Sequence, residues 1–139
     1  MTTEQFCDYL LEEYSKRATV SEADVLAIKR IISIGYIKDA GLERRNAAAI
    51  MHLFMRRTGI ESDEDSWDKA KILKDLYDCR VCVDHVGQMY VKGIMASETP
   101  EVFGMRKILD EEEAEEIVTR LFDKSKRIKI WKISEVKQV

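Results

Sequence analysis

The residues best equipped for chemistry are Cys79-Arg80-Val81-Cys82-Val83-Asp84-His85. Two thiols and an imidazole at this spacing could bind zinc, with Cys7 as a fourth ligand. Structural zinc sites usually carry two ligand pairs, and this chain offers one. The plainer expectation is that Cys79 and Cys82 are small, partly buried helical residues near a turn. A redox role for the pair lacks the strand-then-helix setting of a thioredoxin-like α/β chain. His52 and His85 are the only histidines. Neither sits beside a nucleophile in a recognisable motif, and His52 is expected on the buried face of its helix. No phosphate loop, dinucleotide fingerprint or metalloprotease motif occurs. The expectation is therefore a non-enzyme with no catalytic residue, no metal and no cofactor.

Arg44 and Arg45 open a helix, where cations oppose the dipole. Guanidinium groups beside helix N-terminal amides suit a carboxylate or phosphate, which makes both arginines candidate ligand contacts. The competing explanation is an internal ion pair, for instance with the acidic run at Asp63–Asp65. The run Asp110–Glu116 could attract a cation, but at a helix start it reads as a solvated face helped by the dipole.

These groups must be positioned by helices. Thr2 and Gln5 have the spacing of a capping box, followed by a face of Phe6, Tyr9, Leu10 and Tyr14. Ser21 and Asp24 start a second helix, running through Val25, Ile28, Ile31 and Ile32 to Gly35. A third spans Arg44 to Thr58 and ends before Gly59. Trp67, Ala70, Leu73, Leu76 and Tyr77 mark a fourth, and a fifth runs from Val83 to Lys92, weakened by Gly87. Asp110 caps the last. The segment from Met95 to Ile108 is irregular, and the basic tail over 124–139, with Ile128, Ile130, Trp131 and Ile133 interleaved, reads as an arm or short strand docked on the body. The fold class is all-α, about six helices.

The chain also matches itself. A shift of 58 residues places Val25, Ile28, Ile31, Ile32, Gly35 and Ile37 on Val83, Val86, Met89, Tyr90, Gly93 and Met95. With nine more residues in the second loop, Leu42, Ala47, Ile50, Met51 and Phe54 fall on Leu109, Ala114, Ile117, Val118 and Leu121. This predicts one domain over 1–139 holding two helix-loop-helix repeats, at about 20–58 and 80–123. A helix ending in Gly-Tyr or Gly-Ile, a loop, then Leu42-Glu43-Arg44-Arg45-Asn46-Ala47-Ala48-Ala49-Ile50 resembles the S-layer homology repeat. Arg44 falls on that family's characteristic arginine, and the second copy has Glu111 there. The resemblance covers roughly residues 20 to 122. It implies a non-catalytic binding module for an anionic, pyruvylated or phosphorylated cell-wall glycan, gripped near Gly35, Tyr36, Arg44 and Arg45.

Composition narrows the remaining classes. The balance of 23 basic against 26 acidic residues, net −3, argues against nucleic acid as a partner. No apolar run approaches spanning length, so membrane insertion is not expected. Glu4, Asp8, Glu12 and Glu13 rule out a secretory signal in residues 1–17. The expected location is the cytoplasm if Met1 is the native start, and the cell surface if the sequence is an excised fragment. A cytoplasmic helical adaptor that binds another protein is the alternative to the glycan module, and a homo-oligomer is compatible with either.

Overall fold

The computed structural model describes residues 1–35 and 39–129, without the side chains of residues 32–35. The fold is all-α. Five α-helices are described: α1 (Thr3–Ser15), α2 (Glu22–Gly35), α3 (Arg44–Thr58), α4 (Val83–Val91) and α5 (Glu111–Phe122). Among the described residues there is no strand, only single-residue bridges.

The start signals work as their chemistry requires. The Thr2 hydroxyl accepts from the Gln5 N–H at 3.1 Å while the Gln5 carbonyl accepts from the Thr2 N–H at 2.9 Å, a complete capping box. Ser21 Oγ accepts from Asp24 N, and Asp110 accepts from Glu113 N. Gly59, at φ 68°, closes α3 in the left-handed conformation that glycine adopts at little cost.

The central element is α3. Ala47, Ala48, Ile50, Met51, His52 and Phe54 are all fully buried, so the helix is covered on more than one face. The run of alanines lets neighbours approach closely; α1 and α2 pack on α3, as does α4. Phe54 sits edge-on to Tyr14 of α1 and to Phe122 of α5, at centroid distances of 5.0 and 5.9 Å. Leu121, the residue that the self-alignment pairs with Phe54, is also buried.

The segments leading into α3 and α5 meet. Glu43 bridges Ile108 antiparallel, Leu109 N donates to Leu42 O at 2.8 Å, and Arg44 N donates to Lys107 O at 2.9 Å. Leu42 and Leu109 are both fully buried beneath this pairing.

The fourth expected helix is instead three short 3-10 turns, Asp68–Ile72, Leu76–Asp78 and Arg80–Cys82. Two contacts draw this segment out of an α-helix. Lys74 N donates to Glu101 O at 2.7 Å, and the Asp75 carboxylate accepts from Phe103 N, Gly104 N and Met105 N at 2.8, 2.9 and 3.3 Å. The apolar residues fit the tighter helix, since Ala70, Leu73, Leu76, Cys79 and Cys82 recur every third position, its own period. Gly87 gives the following helix a slot: a Cβ there would lie 2.7 Å from the Trp67 ring.

Past α5, Lys124–Lys126 forms a last 3-10 turn, and Ile128 N donates to Gly93 O at 2.9 Å. The start of the tail is thus fixed to the body. Ile130, Trp131 and Ile133, expected to dock, lie outside the described residues.

Candidate functional site

Arg44, expected at a ligand, is an interior residue, 7% exposed. Its Nε donates to Phe103 O at 3.0 Å, a terminal nitrogen donates to Ala96 O, and the guanidinium lies 4.6 Å over the Phe103 ring. With Asp75 holding the amides of the same loop, Arg44 latches residues 96–105. Burial lowers its pKa from the ordinary arginine value, against the pull of Glu98. Gly35 ends α2, and Tyr36 lies outside the described residues.

Arg45 is placed differently. It lines a cleft of about 460 Å³ at the start of α3, together with Gly41, Asn46, Cys79, Cys82 and His85. The internal ion pair weighed against a ligand role is present, but with Glu43, at 3.2 Å, and not with the Asp63–Asp65 run. Asn46 also leans on Glu43, at 3.3 Å. The Arg45 Nε atom is buried and has no hydrogen-bond partner among the described residues.

On the opposite wall Cys79 and Cys82 form a disulfide, their Cα atoms 5.2 Å apart. The tight turn explains it: Cys79 is the extended residue before the Arg80–Cys82 turn, and Cys82 N donates to Cys79 O at 3.1 Å, which brings the two residues within bonding reach. Bonded to each other, these sulfurs are not the zinc thiolates considered from the sequence. Cys7 is elsewhere, buried in α1, its thiol pushed up to about 12 by burial and by Asp8.

His52 and His85 are partners. Their Nδ1 atoms lie 2.8 Å apart, and His52 Nε2 lies 2.7 Å from Asp63 Oδ1. Burial tends to raise the Asp63 pKa, but hydrogen bonds from Arg56 and His52 hold it below the ordinary carboxylate value. An ionised Asp63 can only accept, which puts the proton on His52 Nε2. In that arrangement His85 Nδ1–H donates to His52 Nδ1, which leaves His85 Nε2 as a hydrogen-bond acceptor. Burial, then the nearness of His52, pulls the His85 pKa down to about 4, so its ring is neutral near pH 7. His52, Asp63 and Asp84 also lie close enough to share a cation, their donor atoms within 4.8 Å of one another. Arg56 supplies that cation, reaching Asp63 at 2.8 Å and Asp84 at 2.7 Å.

A second cleft, of about 690 Å³, lies between α4 and the 124–129 segment. Lys69, Lys92, Lys124, Arg127 and Lys129 line it against only Glu64 and Asp68, so a net-acidic chain gathers positive charge here. Three of the cations are held from behind by Glu61. Arg127 forks onto it at 2.9 and 2.7 Å, Lys92 reaches it at 2.7 Å and Lys124 at 3.8 Å. Lys69 and Lys129 have no ion pair among the described residues.

Comparison with protein-family models, with curated proteins and with solved structures finds no match to this chain. No described helix is long and apolar enough to cross a membrane.

Two groupings were out of reach of sequence reading. The relay joins residues from α3, the 59–66 linker and α4, with no spacing signature. The basic cleft draws on the 3-10 segment, α4 and the tail, and only the tail had stood out as basic. The disulfide, by contrast, had a visible signal in the three-residue period.

Proposed function

We propose that this chain is a non-catalytic binding module for an anionic glycan. The observation that carries the reading is the charge of the 690 Å³ cleft, five cations against two carboxylates. The S-layer homology resemblance adds the ligand class, an acidic cell-wall polysaccharide. Lys69 and Lys129 are the residues free to meet phosphate or carboxylate groups, and the Ser66 hydroxyl lies on the same cleft wall. Arg45 offers a lesser contact in the cleft at the start of α3, since Glu43 already neutralises it. Exposed lysines bind through screened charge, so affinity falls with added salt.

The test is titration of the full chain with phosphorylated or pyruvylated polysaccharide at low and at high salt. The expected result is salt-sensitive binding, lost in a Lys69→Glu/Lys129→Glu double variant that keeps its melting temperature. Wild-type protein that ignores both polysaccharides, or a double variant that binds as well, would overturn the reading. A protein partner is the second reading, favoured by Ile72, Tyr77 and Val81, which stand 38%, 57% and 85% exposed along the 3-10 segment.

A further inference from the structure

The cleft at the start of α3 combines features that the glycan reading does not use. We propose that the Cys79–Cys82 disulfide is a redox centre that exchanges with a dithiol, the paired thiols of a protein segment or small molecule entering this cleft. Four observations converge on it.

The first is the loop the bond closes. Cys79 and Cys82 are three positions apart, and so short a loop removes little entropy from the unfolded chain. The bond serves poorly as a staple. The second is access. Cys79 is only partly buried while Cys82 is 6% exposed, so an incoming thiolate meets the Cys79 sulfur.

The third is the fate of the leaving sulfur. Cys82 is the N-cap residue of α4 and no side chain caps that helix. A Cys82 thiolate would form at the positive end of α4, the setting that lowers thiol pKa and makes a good leaving group. Arg45 lines the same cleft, its Nε without a hydrogen-bond partner among the described residues. The fourth is a hydrogen-bond acceptor for the incoming thiol. His85 lies one turn past Cys82 and lines the cleft, and the Asp63–His52–His85 chain leaves its neutral Nε2 able to accept from a thiol and orient it.

The exchange balances without any further reagent. One thiolate of the dithiol attacks Cys79 Sγ; the S–S bond breaks and Cys82 leaves as a thiolate. The second thiol, oriented by His85 Nε2, gives its proton to the newly formed Cys82 thiolate and attacks its own partner sulfur in the mixed disulfide. That bond to Cys79 breaks, and Cys79 leaves as a thiolate. The dithiol is oxidised to a disulfide, the Cys79–Cys82 pair is reduced to two thiols, and protons released by the dithiol end on the pair. Run backwards, the reduced pair reduces a disulfide.

The experiment reduces the oxidised full chain with dithiothreitol, following free thiols by alkylation and mass across pH 5–9. An oxidised peptide of residues 78–83 is the reference. The chain should react faster than the peptide at pH 7, by roughly threefold for each pK unit by which the leaving thiol is lowered. After reduction, Cys82, followed by its thiolate absorbance in a Cys79→Ser chain, should titrate below the ordinary cysteine value, and Arg45→Ala should shift that profile upward. His85→Asn should slow the reduction at every pH from 5 to 9 without moving that profile, and Asp63, Asp84, Arg56 and Glu43, which also face His85 or Arg45, serve as charge controls. Cys82→Ser should trap glutathione on Cys79, and Cys79→Ser should trap far less on Cys82. A chain rate within twofold of the peptide, with profiles unmoved by Arg45→Ala, would overturn the proposal. So would equal trapping by the two cysteine variants. Neither outcome bears on polysaccharide binding, which uses the other cleft.

Discussion

Replacing Arg44 with Met separates a latch from a ligand contact. The substitution keeps most of the aliphatic stem and removes the fork that joins Phe103 O and Ala96 O. Each carbonyl left without its donor costs about 1–3 kcal/mol. Loss of the cation over the Phe103 ring, at 4.6 Å, adds about 0.5–2 kcal/mol. Against these stands the relief of a buried charge, whose cost shows in the depressed pKa of Arg44. The net expectation is a loss of about 2–4 kcal/mol. For a chain of this length that is roughly a 10 °C fall in melting temperature. Arg44→Lys should recover only part of it, since an ammonium cannot reach two carbonyls with a planar fork. The assay is thermal unfolding by circular dichroism, paired with polysaccharide binding well below the transition. Stability should fall while binding by the folded fraction is unchanged. A melting temperature within about 2 °C of wild type, together with lost binding, would refute the latch and return Arg44 to the ligand.

Two further outcomes are expected. Glu61 tends to be raised by burial, but hydrogen bonds from Arg127 and Lys92 overcome this and hold its pKa at about 2, against an ordinary 4.5. A depressed folded-state pKa means its stabilisation is complete above about pH 4.5 and is lost as pH falls towards 2. Glu61→Gln should flatten that acid limb in urea melts and cost up to about 3–5 kcal/mol at pH 7, because Arg127 and buried Lys92 lose the carboxylate they share and Lys92 keeps only Ser62 O and Glu64 at 3.6 Å. Gly93→Ala should detach the start of the tail: Gly93 has φ 75°, and a Cβ there would lie 2.1 Å from Ile128 O. Faster proteolysis at 124–129 and a loss of about 1–2 kcal/mol would be measured, the φ penalty alone setting that scale.

How far the sequence could be read depended on whether the signal was local. Capping chemistry is local, so Thr2 with Gln5, Ser21 with Asp24, and Asp110 marked true helix starts. The bounds of α3 followed from Arg44 after a loop and Gly59 beyond the end. The segment with Ala70, Leu73 and Leu76 was misjudged because a three-residue period was taken for 3.6, and because partners at Glu101 and Phe103 are distant in sequence. Arg44 shows the same limit in the site. A cation at a helix start signals an anion only if it faces outward, and its direction was set by the 96–105 loop. Arg45, one residue on, does face a cleft.

The pairing of the two segments before α3 and α5 also bears on how the chain folds. Leu109 N on Leu42 O and Arg44 N on Lys107 O join stretches that lie in different halves of the chain. Closing that long loop costs entropy before any contact rewards it. The pairing therefore forms late, after α3 has collected its nearer neighbours α1 and α2. Each half then offers the other a backbone edge it cannot satisfy alone. A cut between Gly59 and Ile60 would leave two pieces that need each other, so the protein is suited to reassembly from its halves.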